Sequence, residues 1–204
     1  KKRNTKAIIS HYPVNINDMY KFDNKIINIR TVRCIDAKMG IKTHGRYVDT
    51  SACPMTSWGI SAAMLFFDKT AYTEVPFDKE IYFGLQFEEQ VVLAARYWTH
   101  GYDIFTPDCH IIGTEYVTNR KRQKHHLIKN PTLQKATYNR LCRVMKLQDH
   151  DGGVMDERKD SVGLGSVRTI SDYYKLLNIY DTVCRVFPNN CLDNVLTVGL
   201  PSCV

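Results

Sequence analysis

The sequence predicts an α/β layered domain, and three observations carry that prediction. Short apolar strands alternate along the chain with helical stretches. One stretch, residues 88–100, combines helical apolar spacing with a glycine just past its end. The chain has 204 residues, 44% hydrophobic and 24% charged, which suits one well-cored domain and not two.

Taken in order, Lys6 to Ser10 reads as a short buried strand that ends at His11-Tyr12-Pro13. Lys25 to Ile35 alternates well enough for an extended strand, and Gly40 to Pro54 is turn-rich and expected to be loop. Ser61 to Phe67 is a continuous apolar run, expected as a buried strand. Pro76-Phe77-Asp78 marks a turn. The helix from Glu88 to His100 presents Val91, Val92, Ala94, Ala95 and Trp98, and Glu88 and Glu89 occupy its first turn, where the helix dipole favours carboxylates. Apolar strands follow at Asp103 to Thr106 and at His110 to Thr114. Asn130-Pro131 is a helix start, with Asn as cap and Pro at the first helical position. Ser171 is placed to cap a last short helix through Leu177. Residues 1–187 form the domain, and 188–204 read as an irregular tail.

The net charge is +7, which fits either a basic surface or attraction to a polyanion such as a nucleotide diphosphate. The densest basic run, Arg120-Lys121-Arg122-Gln123-Lys124-His125-His126, comes with no nucleic-acid-binding pattern, so a nucleic acid is disfavoured as partner. Seven cysteines at irregular spacing, with no C-x-x-C pair, argue against a zinc ribbon and a regular disulfide framework. They leave two readings, buried free thiols in a reducing compartment or one or two disulfides in a secretory lumen. No apolar run approaches the roughly 18 residues of a membrane helix. The first six residues are basic, without the apolar stretch of a signal peptide, and residue 1 is read as an internal cut.

Glu88 and Glu89 are the first candidates for chemistry. Neighbours on a helix point about 100° apart, so one can face a cleft while the other stays at the helix end. The plain alternative is that both only favour the helix N-terminus.

As a block the residues say more. Val75-Pro76-Phe77-Asp78, then Phe87-Glu88-Glu89, then the stretch from Ala94 through Arg96, Trp98, Gly101 and Asp103 to Pro107 resemble the signature of the protein N-acetylglucosaminyltransferases of glycosyltransferase family sixty. Its members include cytoplasmic enzymes that modify hydroxyproline on a ubiquitin-ligase adaptor, and protist enzymes that initiate mucin-type O-glycans. Ala7 to Pro13, Ser57 to Ala63 and Gly163 to Thr169 are similar to further family segments, in the family's order.

The resemblance implies a GT-A-type glycosyltransferase fold, a mixed sheet flanked by helices, here lacking part of the N-terminal nucleotide-binding half. It implies a UDP-GlcNAc donor, a divalent metal such as Mn²⁺, a protein acceptor, and transfer to a Ser, Thr or hydroxyproline hydroxyl with retention. Glu88-Glu89 then occupies the place of an acidic motif, with Glu89 facing the acceptor and orienting its hydroxyl. Trp58 and Gly59 would lie near the sugar, although Trp58 reads equally well as a core aromatic. Arg120, Lys121, Arg122 and Lys124 would neutralise the diphosphate or else form a solvated loop.

Two departures stand out. The family's Asp-x-His lies upstream of Ala7, where this chain has no such residues, and Asp36-Ala37-Lys38 is no substitute. Thr114 stands where the family carries a metal-ligating His, leaving Glu115, His125 or His126 as replacements or the metal site weakened. The fragment is therefore expected to show little or no activity. Rival readings are a transferase of the same fold with another donor or acceptor, a catalytically dead binding module, and a basic nucleic-acid-binding protein. On compartment, the cytoplasm is favoured slightly over the Golgi lumen.

Overall fold

The computed structural model describes residues 6–22, 24–36, 40–81, 88–115, 131–147, 162–179 and 183. The strands are β1 (Ala7–Ser10), β2 (Val14–Asn15), β3 (Lys25–Asp36), β4 (Gly40–Asp49), β5 (Met55–Ser57), β6 (Leu65–Phe67), β7 (Asp103–Thr106) and β8 (Gly113–Thr114). The helices are α1 (Lys69–Glu74), α2 (Glu88–Thr99), α3 (Pro131–Val144) and α4 (Ile170–Leu176). The fold is mixed α/β, as the alternation of patterns predicts.

A four-stranded sheet in the order β5-β7-β1-β6 lies at the centre. β1 and β7 are parallel, with Ile8 opposite Ile104, both of them fully buried. β6 and β5 close the two edges antiparallel. α2 is the central helix and touches β4, β7, α3 and α4. Its Val91, Val92, Ala94, Ala95 and Trp98 join Ile8, Ile104, Leu141 and Tyr173 in one apolar core. The predicted helix end holds, because Gly101 adopts φ 92° and its N–H caps the Trp98 carbonyl.

Four elements differ from the sequence reading. Residues 40–49 are not loop but strand, paired along β3 in a long hairpin with two bulges. Gly45 misleads because it serves close approach rather than a turn, since a Cβ there would run into Ile27 and the Tyr12 ring. Only Leu65–Phe67 of the apolar run is strand. Ser61 to Met64 is instead folded around the Ser10 hydroxyl, which donates to the Met64 carbonyl at 2.8 Å and accepts from the Ser61 N–H at 2.8 Å. Phe66 is 66% exposed, so this edge strand is not buried on both faces. Of residues 110–114 only Gly113 and Thr114 pair, with β2. The cap of α4 is Thr169 rather than Ser171, its hydroxyl accepting the Asp172 N–H at 3.1 Å. α3 does begin at Pro131, while Asn130 and the tail 188–204 lie outside the described residues.

Candidate functional site

α2 begins at Glu88, which places Glu88 and Glu89 in its first turn. Glu89, Val92, Leu93 and Arg96 recur at helical spacing and form one wall of a cavity of about 270 Å³. Ala62, Ile81 and the segment Phe77-Asp78-Lys79 form the rest of the described wall, with Gln90 at its edge. Glu89 is half-buried and its Oε2 is shielded from solvent. A carboxylate there sits at the positive end of the α2 dipole.

Two cations hold the Pro76–Asp78 side of the cavity wall. Arg96 is fully buried and donates from Nη1 to the Pro76 carbonyl at 2.6 Å and from Nε to the Gly163 carbonyl at 3.2 Å. Burial pulls its pKa down, and the Asp78 charge opposes that shift. Arg140 reaches from α3 to Asp78 Oδ2 at 2.8 Å, with only 13% and 5% of the two side chains exposed. Asp78 Oδ1 meanwhile accepts the Glu80 N–H at 2.9 Å. The turn read from Pro76-Phe77-Asp78 is thus tied to both α2 and α3. Its carboxylate is committed to structure, and Glu89 is the other carboxylate of the described wall.

The remaining sequence candidates fall elsewhere. Trp58 and Gly59 do not line this cavity. Their N–H groups both donate to the Ile29 carbonyl, at 2.9 and 3.1 Å, and the Trp58 carbonyl accepts the Tyr173 hydroxyl at 2.6 Å. The Trp58 ring packs half-buried against the core. Thr114 pairs with Asn15 in the β2–β8 ladder, and Glu115 beside it is exposed. Arg120, Lys121, Arg122, Lys124, His125 and His126 lie outside the described residues. Among the described residues no group of three or more His, Cys, Asp or Glu could hold a metal ion. One neutral hydroxyl and one exposed carboxylate at Thr114 and Glu115 do not fit a divalent ion by themselves.

A pair of histidines escaped the sequence reading, because they are far apart in the chain. His11 is fully buried; its Nδ1–H donates to the Tyr12 carbonyl at 2.9 Å, and its Nε2 accepts the Ile111 N–H at 3.1 Å. That arrangement fixes the neutral tautomer. His110 stands edge-on at 5.7 Å and bonds the Lys25 carbonyl through Nε2. Burial lowers the His11 pKa, the Tyr12 carbonyl opposes this, and His110 adds a further lowering. The unfolded chain therefore binds this proton more readily than the folded one. Stability is full above the ordinary value of 6.5 and falls as pH drops below it. Melting followed by circular dichroism is expected to move to lower temperature between pH 7.5 and 5.5. His11→Gln should flatten that slope, and a wild-type slope already flat over this window would count against the account.

The segment Gly163 to Arg168 packs on the C-terminal end of α2. The Thr99 carbonyl accepts the N–H groups of Val167 and Arg168 at 3.0 and 3.1 Å. Arg168 donates to Asp103 Oδ1 at 2.7 Å and to the Tyr102 carbonyl at 3.2 Å, with its guanidinium 5.1 Å from the centre of the Trp98 ring. Two stretches noticed in the sequence for separate reasons are here one structure, joined through Arg96, Thr99 and Arg168.

Among the described residues no helix is long and apolar enough to cross a membrane. Comparison with curated proteins and with solved structures gives no match in either case. A protein-family comparison matches residues 1–183 to the family described as Glycosyltransferase (GlcNAc). That match covers nearly the whole chain, including α2, the cavity wall and the 163–168 segment, and the chain belongs to that glycosyltransferase family, whose members act on a sugar donor and an acceptor.

Proposed function

We propose that this glycosyltransferase moves N-acetylglucosamine from UDP-GlcNAc to a Ser, Thr or hydroxyproline hydroxyl of a polypeptide, on a GT-A-type fold and with retention. One observation carries the reading: Glu89 lies on the wall of a partly enclosed cavity, at the start of a helix packed into the core. A carboxylate held by so rigid an element can orient a hydroxyl without relying on a flexible loop.

In this reading Glu89 accepts a hydrogen bond from the incoming hydroxyl and turns its oxygen toward the sugar C1. The bond from C1 to the diphosphate oxygen breaks, and the electron pair leaves with UDP. The acceptor oxygen bonds C1 on the same face, and its proton passes to the departing diphosphate. Glu89 ends the cycle ionised and forms no covalent bond. The resemblance also implies Mn²⁺; since the described donors do not form a site for it, no step above runs through a metal.

The test is turnover of UDP-GlcNAc, with and without a hydroxyl-bearing peptide, in a form of the protein that also carries an Asp-x-His, since little or no activity is expected without one. Glu89→Gln keeps the shape and removes the charge, and is expected to lower kcat/KM about a hundredfold while leaving the melting temperature nearly unchanged. Wild-type rates in Glu89→Gln would remove Glu89 from the mechanism. Binding of UDP-GlcNAc with no turnover of any UDP-sugar would instead favour a binding-only protein, the outcome to which Thr114 in place of a His points.

A further inference from the structure

We infer that Tyr72 and Phe77 form an aromatic shelf at the mouth of the Glu89 cavity, which receives an apolar residue, proline first, next to the acceptor hydroxyl of a polypeptide. The inference rests on the polypeptide-acceptor reading above and gives it a sequence preference.

Tyr72 on α1 is 51% exposed and Phe77 is 46% exposed, yet their rings stand 6.1 Å apart at 58°. Two large apolar rings in contact at the surface are costly to leave wet and suit a ligand with an apolar face. Phe77 also lines the cavity, so the shelf is continuous with the wall that carries Glu89.

The shelf is rigid from behind. α1 buries Ala71 completely, one position before Tyr72, which anchors the helix to the core. Phe77 is flanked by the Pro76 carbonyl, held by Arg96, and by the Asp78 carboxylate, held by Arg140. A preformed surface binds without paying to order itself.

The polar groups around it decide what it takes. A stacked sugar needs free donors and acceptors for its hydroxyls. Asp68 Oδ1 instead accepts the N–H and hydroxyl of Thr70 at 2.9 and 2.8 Å, and Thr73 donates to the Thr70 carbonyl at 2.9 Å. Glu74 accepts Lys6 at 2.7 Å and the Tyr102 hydroxyl at 2.6 Å. With these groups bonded within the protein, and with Lys79 and Gln90 on the cavity side of Phe77, the Tyr72 side of the shelf offers ring faces. Ring faces recognise proline in extended peptides, whose conformation is already restricted.

The experiment uses two fluorescein-labelled peptides, identical except that the central Ser is flanked by Pro in one and by Gly in the other. Fluorescence anisotropy gives their affinities for the full chain. Wild type is expected to bind the Pro-flanked peptide about tenfold more tightly, equivalent to about 1.4 kcal/mol. Tyr72→Ala and Phe77→Ala should each erase most of that preference, while Phe77→Tyr restores it. Both positions are about half exposed, so melting curves serve as the check that the variants fold. Equal affinity of wild type for the two peptides overturns the inference, and so does a preference that survives both alanine substitutions. Hydrolysis of UDP-GlcNAc by wild type, measured alongside, reports on the donor separately. A peptide preference without hydrolysis supports the shelf and matches the low activity expected of this chain; absence of hydrolysis in a form that also carries an Asp-x-His counts against the transferase reading. Hydrolysis without a peptide preference rejects the shelf alone.

Discussion

Arg96→Met is expected to cost the fold about 4 kcal/mol, read as a lower urea midpoint with an unchanged slope. Methionine fills the volume of the Arg96 stem but leaves two part-buried carbonyls, of Pro76 and Gly163, without their donors. An unpaired acceptor costs on the order of 1–3 kcal/mol where water is kept from it, and the tight packing of the Arg96 stem adds the rest of the loss. Against a total stability of about 5–15 kcal/mol, the loss is a large fraction. Arg96→Lys should lie between the two, because one ammonium cannot span both carbonyls with the fixed fork of a guanidinium. A loss below about 1 kcal/mol for Arg96→Met would show that these carbonyls find other partners. The substitution also frees the segment that carries Phe77 and Asp78 from α2, so peptide affinity should weaken before the fold is lost.

Gly165→Ala is expected to cost about 3 kcal/mol for a different reason, the upper end of what overpacking a filled site costs. A Cβ at Gly165 would stand 2.6 Å from His100 N, Thr99 C and Thr99 O, all of them backbone that no rotamer change can move. The segment must lift from the end of α2. That movement strains the Gly165 N–H bond to Thr99 Oγ1 at 2.9 Å and the two bonds that satisfy the Thr99 carbonyl. For a chain of this size the melting temperature should fall by about 6–12 °C. Val167→Ala is the control, since that side chain is 67% exposed and its loss should change stability by less than about 0.5 kcal/mol. A Gly165→Ala variant melting like wild type would mean that the contact is looser than this packing implies.

What could be read from the sequence was what local chemistry decides. α2 was legible because its apolar residues recur at helical spacing and Gly101 supplies the one backbone conformation its end requires. β1 and β7 were legible as short apolar runs. β4 was not, because glycine at position 45 carries the same letter whether it makes a turn or makes room for Ile27 and Tyr12. The choice between Thr169 and Ser171 as the cap of α4 turned on which hydroxyl has a backbone N–H in reach, and two nearby candidates look alike on paper. The site divides the same way. Glu89 could be placed at a helix start from the sequence, but its cavity is completed by Ala62 and by the segment at Phe77, and no local pattern announces that meeting. The partnership of His11 with His110, and of Arg96 with Gly163, joins residues tens of positions apart. Trp58 carried two readings in the sequence, a sugar contact and a core aromatic, and its ring packs half-buried against the core. Its backbone bonds the Ile29 carbonyl and the Tyr173 hydroxyl, partners that no local pattern announces.

The parallel pairing of β1 with β7 also sets a timetable for the chain as it is made. The two strands are nearly a hundred residues apart, and β6, the other partner of β1, lies between them in sequence. At a synthesis rate of roughly 5–20 residues per second, Ile8 emerges about 5–20 s before its partner Ile104. The β3–β4 hairpin can close within about 10 μs of its own emergence, so a nascent chain would carry a finished ribbon beside an unfinished sheet. Until β6 emerges β1 is an unpaired apolar strand, and until β7 emerges it keeps one edge open, so the ribosome-bound chain rather than the folded protein is where this sheet is most exposed to mispairing.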